Sequence, residues 1–326
     1  MGISEDIAKA ALDINAIKLR PDDPFTWASG YRMPIYNDNR RLLNSYEHRQ
    51  LVTEGFKELI EKNNIDFDMV VGTSTSGIAP AASVAREYEV PLVIFHKNEP
   101  YMFAPFNMDT GLGMLRYSED TSGRINAIAS TAPWAIPGGV SIANKTKLPF
   151  MYVRQKVKGH GLKQQIEGIP AEGQEVLLFD LYDGESYIEN AKQALLNLGV
   201  KTIATGSKDI SKILKPAAIK GRKALIIEDL ISFGGSSAGE VTLARNNGAY
   251  AEWCISIFSY GLDESAEIFR KMNPKCNIDS AFFYDDLLKT AVKENYINNA
   301  QQEILGEWRP DPTNWGINHG FPKEEK

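Results

Sequence analysis

The sequence predicts an α/β protein in which a parallel sheet is flanked by helices. Apolar runs of strand length end at glycine or hydroxyl residues, and each is followed by a segment whose apolar residues recur at helical spacing. Another apolar run then follows, which is the order of a βαβ unit. The chain has 326 residues, of which 43% are hydrophobic, so it can bury a core without disulfides or structural metals.

Residues 1–66 are predicted to form an N-terminal helix and a cap. Residues 3–19 are amphipathic and predict a helix, whereas residues 21–44 are rich in Pro, Gly and aromatic side chains and predict irregular or short-stranded structure. A second helix is expected over residues 47–63. Its apolar side chains at helical spacing are Leu51, Val52, Phe56, Leu59 and Ile60.

Residues 67–260 are predicted to form the α/β core. The first unit has a strand at 68–72, a hydroxyl-rich turn, a small-residue helix at 78–88 and a strand at 91–95. The turn consists of Thr73, Ser74, Thr75, Ser76 and Gly77. The same order recurs at 124–153, at 176–179 with a helix over 187–198, and at 224–227 with a helix over 237–246. Residues 261–326 predict a C-terminal tail, with a helix over 285–305.

Two pairs of segments echo each other in sequence. Residues 78–91 share the spacing of residues 136–149, and residues 173–199 resemble residues 221–248. Identity between the paired segments is low, and βα units converge on similar patterns. The residues therefore leave duplication and convergence equally open.

Composition excludes several classes of protein. There are 36 Lys and Arg against 42 Asp and Glu, giving a net charge of −6, which disfavours a nucleic-acid-binding surface. Cys254 and Cys276 stand without partners at ligand spacing, which excludes a disulfide scaffold and a zinc ribbon. The uncharged stretch 125–144 contains prolines and a Gly-Gly pair, so we expect no membrane span. The N-terminus lacks the pattern of a secretory signal, and we expect a cytoplasmic protein.

The segment 224–237 has the clearest chemistry. An apolar strand delivers two adjacent acids, Glu228 and Asp229, and a Gly- and Ser-rich turn then leads into a helix. The amides of such a turn bind a phosphate, whereas paired acids suit sugar hydroxyls or a Mg²⁺ carried by a polyphosphate. The segment therefore predicts a site for a phosphorylated ribose. The alternative is a solvated acid pair beside an ordinary turn.

A basic segment follows the predicted strand near residue 153. Arg154, Lys156 and Lys158 lie within a few residues of His160 in a chain that is otherwise acidic. Such a concentration of cations would stabilise negative charge on a departing pyrophosphate. A solvated basic loop is the alternative interpretation.

These two segments resemble the type I phosphoribosyltransferases, and orotate phosphoribosyltransferases in particular. Residues 228–237 resemble the motif that binds phosphoribosyl pyrophosphate (PRPP), and residues 154–168 resemble the catalytic loop. Residues 25–40 are similar to the hood segment of that family, and the tail from Tyr284 to Trp315 is similar to its longer members. About 98–125 and 170–220 are apparent insertions.

The resemblance implies a homodimeric enzyme that joins orotate to PRPP, giving orotidine 5′-monophosphate and pyrophosphate. Mg²⁺ would be bound through PRPP and not directly by the protein. The implied catalytic residues are Lys158, His160 and Asp229. The implied PRPP-binding residues are Arg154, Lys158, His160, Glu228, Asp229, Leu230, Ile231, Ser232, Phe233, Gly234, Gly235, Ser236 and Ser237. The implied orotate-binding residues are Ser232, Ile35 and Tyr36. The basic loop would reach across the dimer.

Some alternatives stay open. The family's orotate-holding Arg is absent from Ser259, Tyr260 and Gly261, so a phosphoribosyltransferase for another base is one alternative. A non-catalytic PRPP-sensing regulator is another. For the pyrophosphate-binding turn we favour residues 73–77 over residues 130–138, because of their hydroxyl and glycine content. We expect the unit at 173–206 to extend the sheet and to bind no second PRPP. Acids stand in it where the unit at 221–248 has its Gly- and Ser-rich turn, and they would repel a phosphate.

Overall fold

The computed structural model describes residues 2–103, 124–156, 165–181, 185–207 and 216–324. Short N-terminal elements precede two sheets, and a helical tail ends the chain. None of the helices in this described part has the length and apolar composition needed to span a bilayer.

The N-terminal region begins with helix α1 (Ile3–Asp13), which is shorter than the predicted helix over 3–19. Asn15 has a φ of 56°, which ends the helix, and the chain then enters strand β1. Four short strands follow: β1 (Ile17–Leu19), β2 (Phe25–Thr26), β3 (Arg32–Met33) and β4 (Ile35–Asn37). With a 3₁₀ helix (Asn39–Leu43) they form the hood, which helix α2 (Tyr46–Lys62) follows.

The first sheet is mostly parallel and contains strands from both ends of the core. Its strands are β5 (Met69–Gly72), β6 (Leu92–His96), β7 (Glu99–Phe103), β13 (Lys223–Ile231), β14 (Tyr250–Ser259) and β15 (Asn277–Phe283). Their order is β15-β14-β13-β5-β6-β7, with β7 antiparallel to β6. Helix α3 (Ile78–Glu87) connects β5 to β6.

The intervening residues form a second sheet. Its strands are β8 (Ala127–Thr131), β9 (Phe150–Val153), β10 (Ile166–Glu167), β11 (Glu175–Asp180) and β12 (Lys201–Ser207). Helix α4 (Ile136–Thr146) connects β8 to β9, and helix α5 (Glu185–Leu196) lies between β11 and β12. The expectation that residues 173–206 extend the main sheet is wrong, because β11 pairs with β8 and not with any strand of the first sheet that the structure describes.

The two sheets have the same strand order. The second reads β10-β9-β8-β11-β12, with β10 antiparallel to β9, and matches β7-β6-β5-β13-β14 of the first. Helices α3 and α4 pack against each other between the sheets, and one apolar cluster includes residues from both. The α/β class and the parallel pairing predicted from the sequence are confirmed.

The C-terminal part returns to the hood. Helix α6 (Gly235–Asn246) follows β13, and helix α7 (Asp263–Lys271) follows β14. The predicted helix over 285–305 is instead α8 (Tyr284–Lys293) and α9 (Asn299–Gly306), separated where Asn295 has a φ of 61°. Helix α10 (Pro312–Asn318) completes the tail, and the Trp308 indole donates to Sδ of Met33 at 3.2 Å.

Candidate functional site

The acid pair lies at the carboxyl end of β13, as its place in the sequence predicts. Glu228 is 7% exposed, and its Oε1 accepts from the Thr73 hydroxyl at 2.6 Å and from the Asp229 amide at 2.9 Å. Its Oε2 accepts from the Ser237 hydroxyl at 3.2 Å. Glu228 therefore links three segments, whereas Asp229 is partly exposed and available to a ligand.

Burial changes the titration of Glu228. Desolvation, and secondly the neighbouring Asp229 carboxylate, raise the pKa of Glu228 well above its ordinary value. Donation by the Thr73 hydroxyl acts in the opposite direction and is outweighed. A protonated or hydrogen-bonded Glu228 beside a more exposed Asp229 gives the site two carboxyl groups with different properties.

The turn Thr73–Gly77 lies directly beside this acid pair because β5 and β13 are neighbours. The Thr73 amide donates to the Ile227 carbonyl at 3.1 Å. A Cβ atom at Gly77 would lie 2.3 Å from Thr73 Oγ1 and 2.4 Å from the Ile227 oxygen, so only glycine fits there without a shift. The competing turn, residues 130–138, lies in the second sheet.

The Gly- and Ser-rich segment forms the predicted entry to a helix. Leu230 and Ile231 complete β13, Ser232 and Phe233 form the turn, and Gly234 precedes α6 with a φ of +83°. No atom would lie within 4 Å of a Cβ at Gly235, and Gly235 and Ser236 are exposed. The first amides of a helix have no partner within the helix, so they can bind an anion here.

The basic segment approaches this site through the hood. Arg154, just after β9, donates through Nε to Glu167 Oε1 at 2.6 Å, and Arg40 of the 3₁₀ helix donates to the same oxygen at 2.5 Å. Burial alone would lower the pKa of Arg40, but the carboxylates of Asp38 and Glu167 raise it on balance. Lys158 and His160 lie outside the described residues.

The residues expected to contact orotate lie in the hood and the turn. Ile35 is fully buried, and its carbonyl accepts from the Trp27 indole at 2.9 Å, so its side chain serves the core. Tyr36 is half-buried, and burial together with Asp38 raises its pKa to about 12. Ser232 is half-buried in the turn that directly follows β13.

The site includes residues that the sequence analysis did not assign. The Asn39 side chain donates to the Asp229 carbonyl at 2.7 Å, and Glu167 is 2% exposed between two arginines. Glu240 of α6 accepts from the Ser74 amide, while burial raises its pKa. The sequence predicts the hood segment, but its spacing does not show that two consecutive residues contact both sheets.

The described residues contain no cluster of three or more His, Cys, Asp or Glu side chains that could hold a metal ion. The site instead offers two carboxyl groups, hydroxyls and an open helix start. These groups suit a sugar phosphate, and hard carboxylate oxygens suit a divalent cation that arrives with its own phosphate ligands.

Comparison with known proteins agrees with this chemistry. An orotate phosphoribosyltransferase of Listeria monocytogenes serotype 4b (strain F2365) is 28% identical over 316 residues, covering 97% of this chain and 100% of that protein. One from Coxiella burnetii (strain RSA 493) is 28% identical over 315 residues, covering 97% and 99%. The chain is a homologue of the orotate phosphoribosyltransferases.

The similarity to solved structures is weaker. Orotate phosphoribosyltransferase from Aeropyrum pernix is 16% identical, with a TM-score of 0.44, covering 90% of this chain and 99% of that one. UMP synthase from Leishmania donovani is 16% identical, with a TM-score of 0.49, covering 94% of this chain and 43% of that one. No family model matches the chain.

Proposed function

We propose that this protein transfers the 5-phosphoribosyl group from PRPP to orotate, giving orotidine 5′-monophosphate and pyrophosphate. The observation that carries the proposal is the placement of Glu228 and Asp229 between an open helix start and the turn Thr73–Gly77. The two homologues above are named for this transfer, and both align with nearly the whole chain.

In this proposal each part of the site holds one part of PRPP. The amides at the start of α6 bind the 5′-phosphate, Asp229 and Glu228 accept from the ribose hydroxyls, and the turn at 73–77 binds the pyrophosphate. Mg²⁺ enters as part of the Mg–PRPP substrate. Hood residues beside Tyr36, together with Ser232, bind the base.

Displacement at the anomeric carbon develops positive charge on the ribose and negative charge on the pyrophosphate. The protein therefore needs to align the two reactants and stabilise that separation of charge. Asp229 lies where it would face the ribose, and the basic segment beginning at Arg154 would stabilise the leaving group. A base is not required from the protein if orotate supplies its own nucleophilic nitrogen. The cytoplasmic location expected from the sequence is part of this proposal.

The test is an assay with Mg–PRPP and a panel of bases: orotate, uracil, adenine and hypoxanthine. We expect orotate to be consumed with stoichiometric release of pyrophosphate and the other bases to be used at least about a hundredfold less efficiently, a difference of roughly 2.7 kcal/mol. Preference for another base would support the second type of phosphoribosyltransferase. PRPP binding without turnover of any base would support the regulator.

A further inference from the structure

The two sheets repeat a polar contact as well as a strand order. β13 pairs with β5 in the same register in which β11 pairs with β8. Glu228 therefore corresponds to Asp180, and Thr73 corresponds to Thr131. Thr73 donates to Glu228 at 2.6 Å, and Thr131 donates to Asp180. We call the elements of the first sheet, with α3 and α6, the first copy, and residues 124–207 the second copy.

The two copies meet through reciprocal contacts between α3 and α4. Counted from the first residue of each helix, Ser83 corresponds to Ser141 and Arg86 to Asn144. Arg86 donates to the Ser141 hydroxyl at 2.8 Å, and Asn144 donates to the Ser83 hydroxyl at 3.3 Å. Reciprocal pairing of this kind is the property of an isologous, two-fold interface.

The end of the second strand of the first copy lies over the turn of the second copy. His96, at the end of β6, lies against Trp134 in the turn of the second copy, with ring centroids 5.1 Å apart, and Tyr101 of β7 lies 4.8 Å from it. Because β6 pairs with β5 in the register in which β9 pairs with β8, His96 corresponds to Arg154. The two-fold relation thus places Arg154 toward Ser76 in the turn of the first copy.

Side-chain contacts trace the same junction directly. Asn39 and Arg40 are consecutive residues, and Asn39 donates to the Asp229 carbonyl at 2.7 Å while Arg40 donates to Glu167 at 2.5 Å. Glu167 also accepts from Arg154 at 2.6 Å. The acid pair of the first copy is therefore joined to the basic strand end of the second copy through one short stretch of the hood.

We infer that the chain is an internal pair of one repeated unit, and that its PRPP site is composite within a single chain. The first copy supplies the acid pair, the phosphate cradle and the turn at 73–77, and the second copy supplies the cation of Arg154. The inference rests on the proposed function for the identity of the ligand. In the homodimer implied by resemblance, a second chain would supply that cation, whereas here the same chain does so.

The position in the second copy that corresponds to the PRPP site lacks the groups that would bind PRPP. Leu181 stands where the first copy has Asp229, so the second acid is missing. Near the start of α5, Tyr187 replaces the small residues of α6, is 6% exposed, and donates its hydroxyl to the Ala132 carbonyl in the adjacent turn. In the first copy, β6 and β7 are joined by Lys97 and Asn98 alone, so no long basic segment is available to cover the reciprocal site. One PRPP site per chain follows.

The test uses two full-length variants with different affinity tags, Arg154→Ala and Asp229→Asn, expressed together. We expect turnover in the mixture to stay at the level of the separate variants, because each chain carries a defect in its own composite site. Any fraction purified through both tags should be no more active than the separate variants. Recovery of a quarter or more of the parental turnover would overturn the inference, since it would show that the cation comes from another chain.

Matched controls separate this inference from the proposed function. His96→Ala with Asp180→Asn removes the counterparts of Arg154 and Glu228, and we expect its turnover to stay within a few-fold of the parent. Arg154→Lys, which keeps the charge, should recover part of the activity lost in Arg154→Ala. Titration calorimetry with Mg–PRPP, without any base, should give one site per chain, and two sites would overturn the inference. Failure to use orotate despite one PRPP site would reject the proposed function alone.

Discussion

Arg40 donates through Nη1 to Oε1 of Glu167 at 2.5 Å, joining the hood to the antiparallel strand beside the basic segment. Both side chains are 10% exposed or less. Glu167→Gln removes the negative charge from this buried contact, and we expect the free energy of unfolding to fall by about 3 kcal/mol. Chemical denaturation measures this free energy of unfolding. Glu267→Gln breaks the exposed pair with Lys271 and should leave unfolding unchanged. Equal effects of the two changes would contradict the prediction.

Glu228 and Asp229 should be required for efficient reaction with PRPP. Asp229→Asn removes a charged partner of the ribose and Glu228→Gln alters the buried carboxyl group beside it, and we expect kcat/KM for PRPP to fall by the equivalent of about 1 to 3 kcal/mol in each variant. Asp68 lies just before the amino end of β5, at the far end of the strand from the turn at 73–77, and Asp68→Asn serves as the control. Unchanged kinetics in both acid variants would reject the assignment of the site.

Glu228 should make stability depend on pH. Its pKa is raised in the folded state above the ordinary value of 4.5, so the folded chain holds more protons than the unfolded chain above that pH. Stability contributed by the protonated form is therefore lost as pH rises toward the folded pKa, by at most about 1.4 kcal/mol per pH unit. Glu228→Gln should flatten this slope. Denaturation of the ligand-free parent and variant between pH 5 and about pH 8 measures the two slopes. Parallel profiles of stability against pH would contradict the prediction.

Two glycines near the site should respond oppositely to alanine. A Cβ at Gly77 would lie 2.3 Å from Thr73 Oγ1, so Gly77→Ala must displace the turn; we expect a loss of about 1 to 3 kcal/mol and weaker PRPP binding. Gly239 of α6 has no atom within 4 Å of a Cβ, and Gly239→Ala should stabilise the chain by about 0.5 to 1 kcal/mol. Thermal unfolding compares the stability of the two variants with that of the parent. A tolerated Gly77→Ala would show that the turn is not constrained as described.

We expect Arg309 to hold the carboxylate of orotate in place of the Arg that the family has elsewhere. The family's Arg is absent from residues 259–261, but Nη1 of Arg309 would lie 3.9 Å from a Cβ at Gly261. We expect Arg309→Met to raise KM for orotate on the order of tenfold while leaving KM for PRPP unchanged. Asp285→Asn breaks the same ion pair but keeps the cation, so it should not raise KM for orotate. Equal effects of both changes would indicate a role in folding only.

Local patterns predicted the strand that carries Glu228, the turn at 73–77 and the helix starts, because strand, polar turn and helix are adjacent in sequence. Pairing between distant strands was not predictable, since β11 has the pattern of a strand that could join either sheet. The extent of the first helix was missed for a related reason. Residues 17–19 fit a helical pattern, but Asn15 ends the helix before them and they pair with β4 instead. The contacts of Asn39 and Arg40 likewise depend on both sheets being in place.

The second copy lies in the chain between β7 and β13, so the first sheet is interrupted by a complete second sheet. During synthesis, β8 to β12 leave the ribosome before β13 does, and their pairings are closer in sequence than that of β5 with β13. Loop closure favours the nearer pairings, so we expect the strands of the second sheet to pair before β13 joins β5. On this order of events, the sheet without a binding site of its own is already in place when the binding sheet is completed.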